Sequence, residues 1–150
     1  MASVIHQTGD SKYQDFERLT EKMGERYEVK KWIDDMANVL KRVDLVICRA
    51  GINTLTELAL MGKPALVIPL PHLYQDEQNK NAKYFEELGL VRILPQSKLT
   101  PKSLSKLVSE MLKNLDNLKI RASRAKRVVL LDAAKRIALE TILLYETNKS

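Results

Sequence analysis

Three short, largely apolar runs, "DLVIC" (44–48), "PALVIPL" (64–70) and "LVRIL" (90–94), constrain the fold of this chain more than any other feature. Each is too short for a helix and lacks the alternation of a strand that faces water on one side. Runs of this kind suit strands covered on both faces, as in a parallel sheet. Between them lie "NTLTELALMG" (53–62) and "QDEQNKNAKYFEELG" (75–89), helical in period and each ending in a Gly suited to a left-handed cap. Strand and helix alternating at this spacing predict a parallel α/β sheet with right-handed crossovers.

The flanking sequence extends the pattern. "SVIHQ" (3–7) reads as a strand, and "KYQDFERLTEKMG" (12–24) as a helix with Phe16, Leu19 and Met23 at helical spacing. "YEVKKWI" (27–33) alternates like a strand, and "DDMANVLKRV" (34–43) reads as a helix opened by Asp34. Two helical stretches close the chain: 101–113, with Pro101 in its first turn, and a long one over 116–146 with a possible break. With no internal repeat, low-complexity tract or linker, residues 1–150 read as one Rossmann-like domain, helices on both faces of its sheet, ending in the helices of 101–146.

A chain of 150 residues with 45% hydrophobic and 29% charged residues has the balance of one globular domain. No apolar run approaches the roughly 20 residues of a spanning helix. "MASVIHQTGDSKYQ" lacks a basic region followed by a long apolar core, so the expected location is cytoplasmic. The single Cys48 cannot form an internal disulfide, and no Cys/His spacing suggests zinc. The net charge of +6 is concentrated, because "KIRASRAKR" (119–127) places five basic residues within nine. Such a run attracts nucleic acid, anionic lipid or a phosphorylated ligand, or serves as a solvated helix face. No aromatic residue interleaves with it, which argues against a stacking platform for single strands.

In a parallel sheet, ligands sit beyond the carboxyl ends of the strands, here the loops after Ile33, Cys48, Pro69 and Leu94. "RAGINTLTE" (49–57) places Gly51 where the backbone approaches a ligand or takes a positive φ; Asn53 or Thr54 caps the next helix. Glu57 then either closes a capping box or reaches a ligand hydroxyl. A helix entered this way presents free N–H groups to an anion, most often a phosphate. In "PLPHLYQDEQNKNA" (69–82), His72 and Tyr74 precede Asp76, Glu77, Gln78, Asn79 and Asn81, a polar cluster suited to a sugar or to capping and solvent. "KKWIDDM" (30–36) ends a strand at Ile33, whose backbone groups would meet the edge of a base. No acidic cluster suited to bridging a diphosphate through a metal is evident.

Taken together, "WIDDM" (32–36), "VDLVICRAGINTLTELALMGKPALVIPLPH" (43–72), "DEQNKNAKYFEELGLVRIL" (76–94) and "LDAAKRIA" (131–138) resemble the carboxy-terminal domain of the MurG family. These GT-B glycosyltransferases move N-acetylglucosamine from UDP-N-acetylglucosamine to an undecaprenyl-linked acceptor of peptidoglycan synthesis. The resemblance covers nearly the whole chain and implies an inverting donor-binding half. It implies that Ile33 pairs with uracil beside Trp32, that Gly51, Ile52, Asn53 and Thr54 face the diphosphate, and that Glu57 holds the ribose. It also implies that Gln78 holds sugar hydroxyls with Glu77 beside it, where some relatives have a second glutamine. No metal and no cofactor are implied; the helix N-terminus stabilises the leaving UDP.

The same resemblance implies parts not matched here. The family's acceptor site and catalytic base belong to an amino-terminal domain, and a first strand with a glycine-rich "GGSxGA" loop precedes the counterpart of "SVIHQTG". The expectation is therefore a partial GT-B domain that lacks its first strand, carries no catalytic residue and is inactive without an acceptor half. The alternative is a non-catalytic nucleotide-sugar-binding subunit of a split two-chain enzyme. Lys119, Arg121, Arg124, Lys126 and Arg127 would hold such a protein peripherally at the cytoplasmic leaflet, and nucleic acid is not an expected partner.

Overall fold

A computed structural model describes residues 2–71 and 76–147, so His72 and Tyr74 lie outside the described residues. The chain divides into two compact units, Met1–Arg42 and Val43–Ser150. Among the described residues the strands form two parallel sheets, one of two strands and one of three, where the sequence predicts one sheet.

In the first unit, β1 (Val4–Gln7) and β2 (Tyr27–Lys30) pair from Val4↔Tyr27 to Gln7↔Lys30, joined by α1 (Tyr13–Met23). His6 Nδ1 lies 2.7 Å from the Tyr27 hydroxyl, and its ring meets Phe16 edge-on at 4.7 Å. The helical spacing of Phe16 thus brings α1 onto the sheet, whereas Met23 at the end of α1 is exposed. β2 stops at Lys30, three residues short of the expected Ile33. The α2 helix (Met36–Arg42) opens on Asp35, whose Oδ1 accepts the Asn38 N–H at 2.9 Å. Asp35, not Asp34, is the residue whose side chain reaches a first-turn donor.

In the second unit, β3 (Val46–Cys48), β4 (Ala65–Val67) and β5 (Val91–Ile93) lie in that order. The hydrogen-bonded ladders are shorter than the apolar runs that contain them. Ile68 and Leu94 continue inward past the ladder and join Leu66, Met111 and Leu118 in the core. The α3 helix (Ile52–Met61) follows β3, and α4 (Glu77–Glu87) precedes β5. Leu55, Leu58 and Ala59 of α3 are fully buried. At a transfer value of about 25 cal/mol per Å², each buried leucine contributes roughly 2 kcal/mol. Gly62 ends α3 with φ 62°, and a Cβ there would lie 3.2 Å from Ser123 Cα. Only glycine fits both the turn and the close approach.

The last third of the chain is helical. The α5 helix (Pro101–Lys113) starts at a capping box in which Thr100 Oγ1 accepts the Ser103 N–H at 3.0 Å. The long stretch expected over 116–146 is broken into α6 (Leu115–Arg124), a 3₁₀ turn (Ala125–Val128) and α7 (Ala133–Thr147). Among the described residues, no helix is long and apolar enough to cross a membrane.

Candidate functional site

The carboxyl ends of β3, β4 and β5 lie together in the second unit, and the loops that leave them are tied to one another by side chains. Arg49, the residue after β3, donates from Nη1 to the Ile68 carbonyl at 3.0 Å and to Gln96 Oε1 at 2.6 Å. One guanidinium thereby joins the exits of all three strands. Sequence reasoning missed Arg49; the only local signal is a cation standing directly after an apolar run. Gln78 acts similarly from α4: its Oε1 accepts the Leu70 N–H at 2.9 Å and the Ala50 N–H at 3.3 Å. Asn81, one turn on, donates to the Ala50 carbonyl at 3.4 Å.

These ties hold the entrance to α3. The N-cap is Gly51, with φ −68° and ψ 137°, and no side chain caps the helix. The expectation that Asn53 or Thr54 caps it, with Glu57 closing a box, does not hold: Ile52, Asn53 and Thr54 are already in the first turn. The first bond of the helix runs from the Leu55 N–H to the Gly51 carbonyl at 3.0 Å. The N–H groups of Ile52, Asn53 and Thr54 therefore have no acceptor among the described residues. Those donors carry the positive end of the helix dipole. Gly51 does not take a positive φ, and a Cβ there would meet nothing within 4 Å. The space in front of the helix is open, so the glycine's value lies in backbone access from outside.

Glu57 projects exposed from α3, one turn beyond those donors, and forms no hydrogen bond or ion pair with another described residue. Glu77 is exposed at the first position of α4, and Gln78 beside it is half-buried. Because the Gln78 carbonyl oxygen is engaged by two backbone N–H groups, the group it offers outward is its amide NH₂. Asp76, before α4, takes φ 57° and accepts from Asn79 Nδ2 at 2.6 Å. That local bond supports a left-handed turn which an aspartate tolerates better than most residues.

Two further positions bear on the chemistry. Ile33 belongs to the first unit, and its N–H donates to Gln7 Oε1 at 3.1 Å. Its backbone is thus not left open by a strand end, as the sequence suggests, but its N–H is held by a side chain of β1. Trp32 beside it is 70% exposed. Cys48, at the end of β3, has its thiol pushed up to about 11 by burial. It stays protonated near neutrality, which removes it as a nucleophile. Among the described residues, no group of three or more His, Cys, Asp or Glu could hold a metal ion.

Comparison with known proteins places this arrangement. Residues 1–137 match the glycosyltransferase family 28 C-terminal domain. The UDP-N-acetylglucosamine--N-acetylmuramyl-(pentapeptide) pyrophosphoryl-undecaprenol N-acetylglucosamine transferase of Trichlorobacter lovleyi is 35% identical over 90% of this chain and 35% of its own length. The enzyme of the same description from Aeromonas hydrophila is 39% identical over 91% of this chain and 38% of its own. The crystal structure of Acinetobacter baumannii MurG superposes with a TM-score of 0.78 at 31% identity, covering 90% of this chain and 39% of that one. The chain thus spans less than two fifths of the length of these relatives.

Proposed function

From the premise that the chain belongs to the glycosyltransferase family 28 C-terminal domain, we propose that it binds UDP-N-acetylglucosamine as the donor half of an inverting N-acetylglucosaminyltransferase. The uncapped first turn of α3 carries the proposal. Three N–H groups without acceptors among the described residues suit a diphosphate, and their dipole stabilises the negative charge that grows on UDP as the glycosidic bond breaks. Glu57, one turn along, is placed to accept both ribose hydroxyls in a charge-assisted pair. The Gln78 amide donates to a sugar hydroxyl while its carbonyl holds the loops, with Glu77 beside it. Ile33 offers its carbonyl to uracil N3–H, and pairing through its N–H requires Gln7 to turn away.

Transfer also needs an acceptor hydroxyl held in line with the anomeric carbon and a base to take its proton. None of the residues above does that work, so these 150 residues alone are proposed to bind donor without turnover. The relatives are named for a pyrophosphoryl-undecaprenol acceptor, and the acceptor proposed for the complete reaction is of that lipid-linked class.

Calorimetric titration of the purified chain with UDP-N-acetylglucosamine, UDP-glucose and CMP, for the native sequence and Glu57→Ala, tests this reading. Binding that prefers the first ligand and is lost on substitution supports it. A folded chain that binds none of the three refutes it.

A further inference from the structure

The basic run at 119–127 does not act as one patch. Lys119 is engaged elsewhere, its Nζ 2.5 Å from Asp44 Oδ1. Arg121, Arg124 and Arg127, spaced three apart along α6 and the turn after it, line one open cleft of about 260 Å³ with Glu87, Leu88 and Gly89. Lys126 does not line it. Gly89 has φ 79°, and a Cβ there would lie 3.0 Å from Arg121 Nε, so the glycine is what lets Arg121 lie across the end of α4. None of the three arginines forms an ion pair or hydrogen bond with another described residue. Three guanidinium groups thus share a cleft with one carboxylate, a repulsive arrangement that an anion would relieve.

Two observations choose among anions. Directly after the cluster the chain turns through Leu130 and Leu131, which are 56% and 77% exposed, and Ile120 beside Arg121 is 57% exposed. Cations flanked by exposed aliphatic side chains match a lipid interface, whereas a nucleic-acid surface would gain nothing from the leucines. The cleft also lies at the amino end of β5, since Gly89 and Leu90 lead into that strand. It is therefore at the opposite end of the sheet from Arg49, Gly51 and Gln78, and a surface bound there leaves the donor loops open. We propose that Arg121, Arg124 and Arg127 form a binding site for the phosphate of an anionic phospholipid, with Leu130 and Leu131 entering the interface beside it. This goes beyond donor binding and stands or falls separately from it.

The test is vesicle sedimentation of the purified chain with phosphatidylcholine alone and with added phosphatidylglycerol. The variants are Arg121→Gln/Arg124→Gln/Arg127→Gln, Leu130→Ser/Leu131→Ser, and Lys126→Gln as the off-cleft control. A single-stranded RNA oligonucleotide and inorganic phosphate serve as competitors. At about a factor of five per basic residue near an anionic surface, the triple variant loses on the order of 100-fold in partitioning. Arg121→Gln, Arg124→Gln and Arg127→Gln are also made singly; Lys126→Gln loses less than any of these three, the leucine variant weakens vesicle binding, and RNA and phosphate compete poorly. Absence of preference for phosphatidylglycerol, equal loss in Lys126→Gln and the single arginine variants, or vesicle binding indifferent to the leucines with tight RNA competition would each overturn the site.

Discussion

Gln78 Oε1 accepts the Leu70 N–H at 2.9 Å while also accepting the Ala50 N–H, so one α4 side chain fastens the loops leaving β3 and β4. Its two ends therefore have separable roles. Gln78→Glu keeps an acceptor for both N–H groups but has no donor for a ligand. Gln78→Ala removes both, leaving two backbone donors without a partner at roughly 1–3 kcal/mol of stability. The expected outcome is a native-like melting temperature with weakened UDP-N-acetylglucosamine binding for Gln78→Glu, and a lowered melting temperature for Gln78→Ala. Equal melting temperatures for the two variants would show that the clamp contributes nothing.

Gly51→Ser separates folding from binding at the entrance to α3. The site has extended backbone angles and open space, both suited to serine, and serine is a better N-cap than glycine by a few tenths of a kcal/mol. Its hydroxyl would accept a first-turn N–H, one of the donors proposed to hold the diphosphate. The expected result is stability unchanged or slightly raised in urea titration, with UDP affinity lowered about tenfold, the value of one charge-assisted bond near 1.5 kcal/mol. An affinity equal to that of the native chain would remove the α3 terminus from the binding site.

What the residues disclose by themselves follows the range of the forces involved. Apolar runs locate all three strands at 46–48, 65–67 and 91–93, but burial on both faces holds only for the middle strand β4; β3 exposes Ile47 and β5 exposes Arg92. The excess length of the runs belongs to residues such as Ile68 and Leu94, which are apolar because they pack and not because they pair. Pro101 marks the start of α5, but its Thr100–Ser103 capping box is not read from the sequence, and the choice between Asp34 and Asp35 is decided by backbone path. The Arg49 to Gln96 bond spans 47 residues and has no trace in local pattern. Of the expected donor contacts, Gln78 is where α4 meets the loops, but its carbonyl is already engaged.

Lys119 and Asp44 supply a pH-dependent term. The hydrogen bond and charge of Lys119 hold the Asp44 carboxyl below its ordinary value of 3.8. A depressed carboxylate adds stability that is present above its unfolded value and is lost as pH falls through the folded one. Both side chains are largely in solvent, so the pair is worth no more than about 1 kcal/mol. Lys119→Ala is expected to lower the urea midpoint slightly at neutral pH, by less in high salt, and not at all once Asp44 is protonated below its depressed value. A penalty that persists unchanged in acid would assign the effect to packing of the lysine stem against the sheet.

Cys48 gives the opposite sign at the alkaline end. Burial raises its thiol from 9.0 to about 11, so the unfolded chain releases this proton first as pH climbs. Stability therefore falls between those values, by roughly 1.4 kcal/mol for each unit of the interval. Cys48→Ser or Cys48→Ala should flatten that part of the stability curve, and alanine removes the ionisation without adding a hydroxyl beside Val67. Alkylation by iodoacetamide near pH 8 should be slow in the native chain and rapid in urea. Fast native alkylation would mean that the end of β3 opens on its own, and the loops fastened through Arg49 would then be mobile before any ligand arrives.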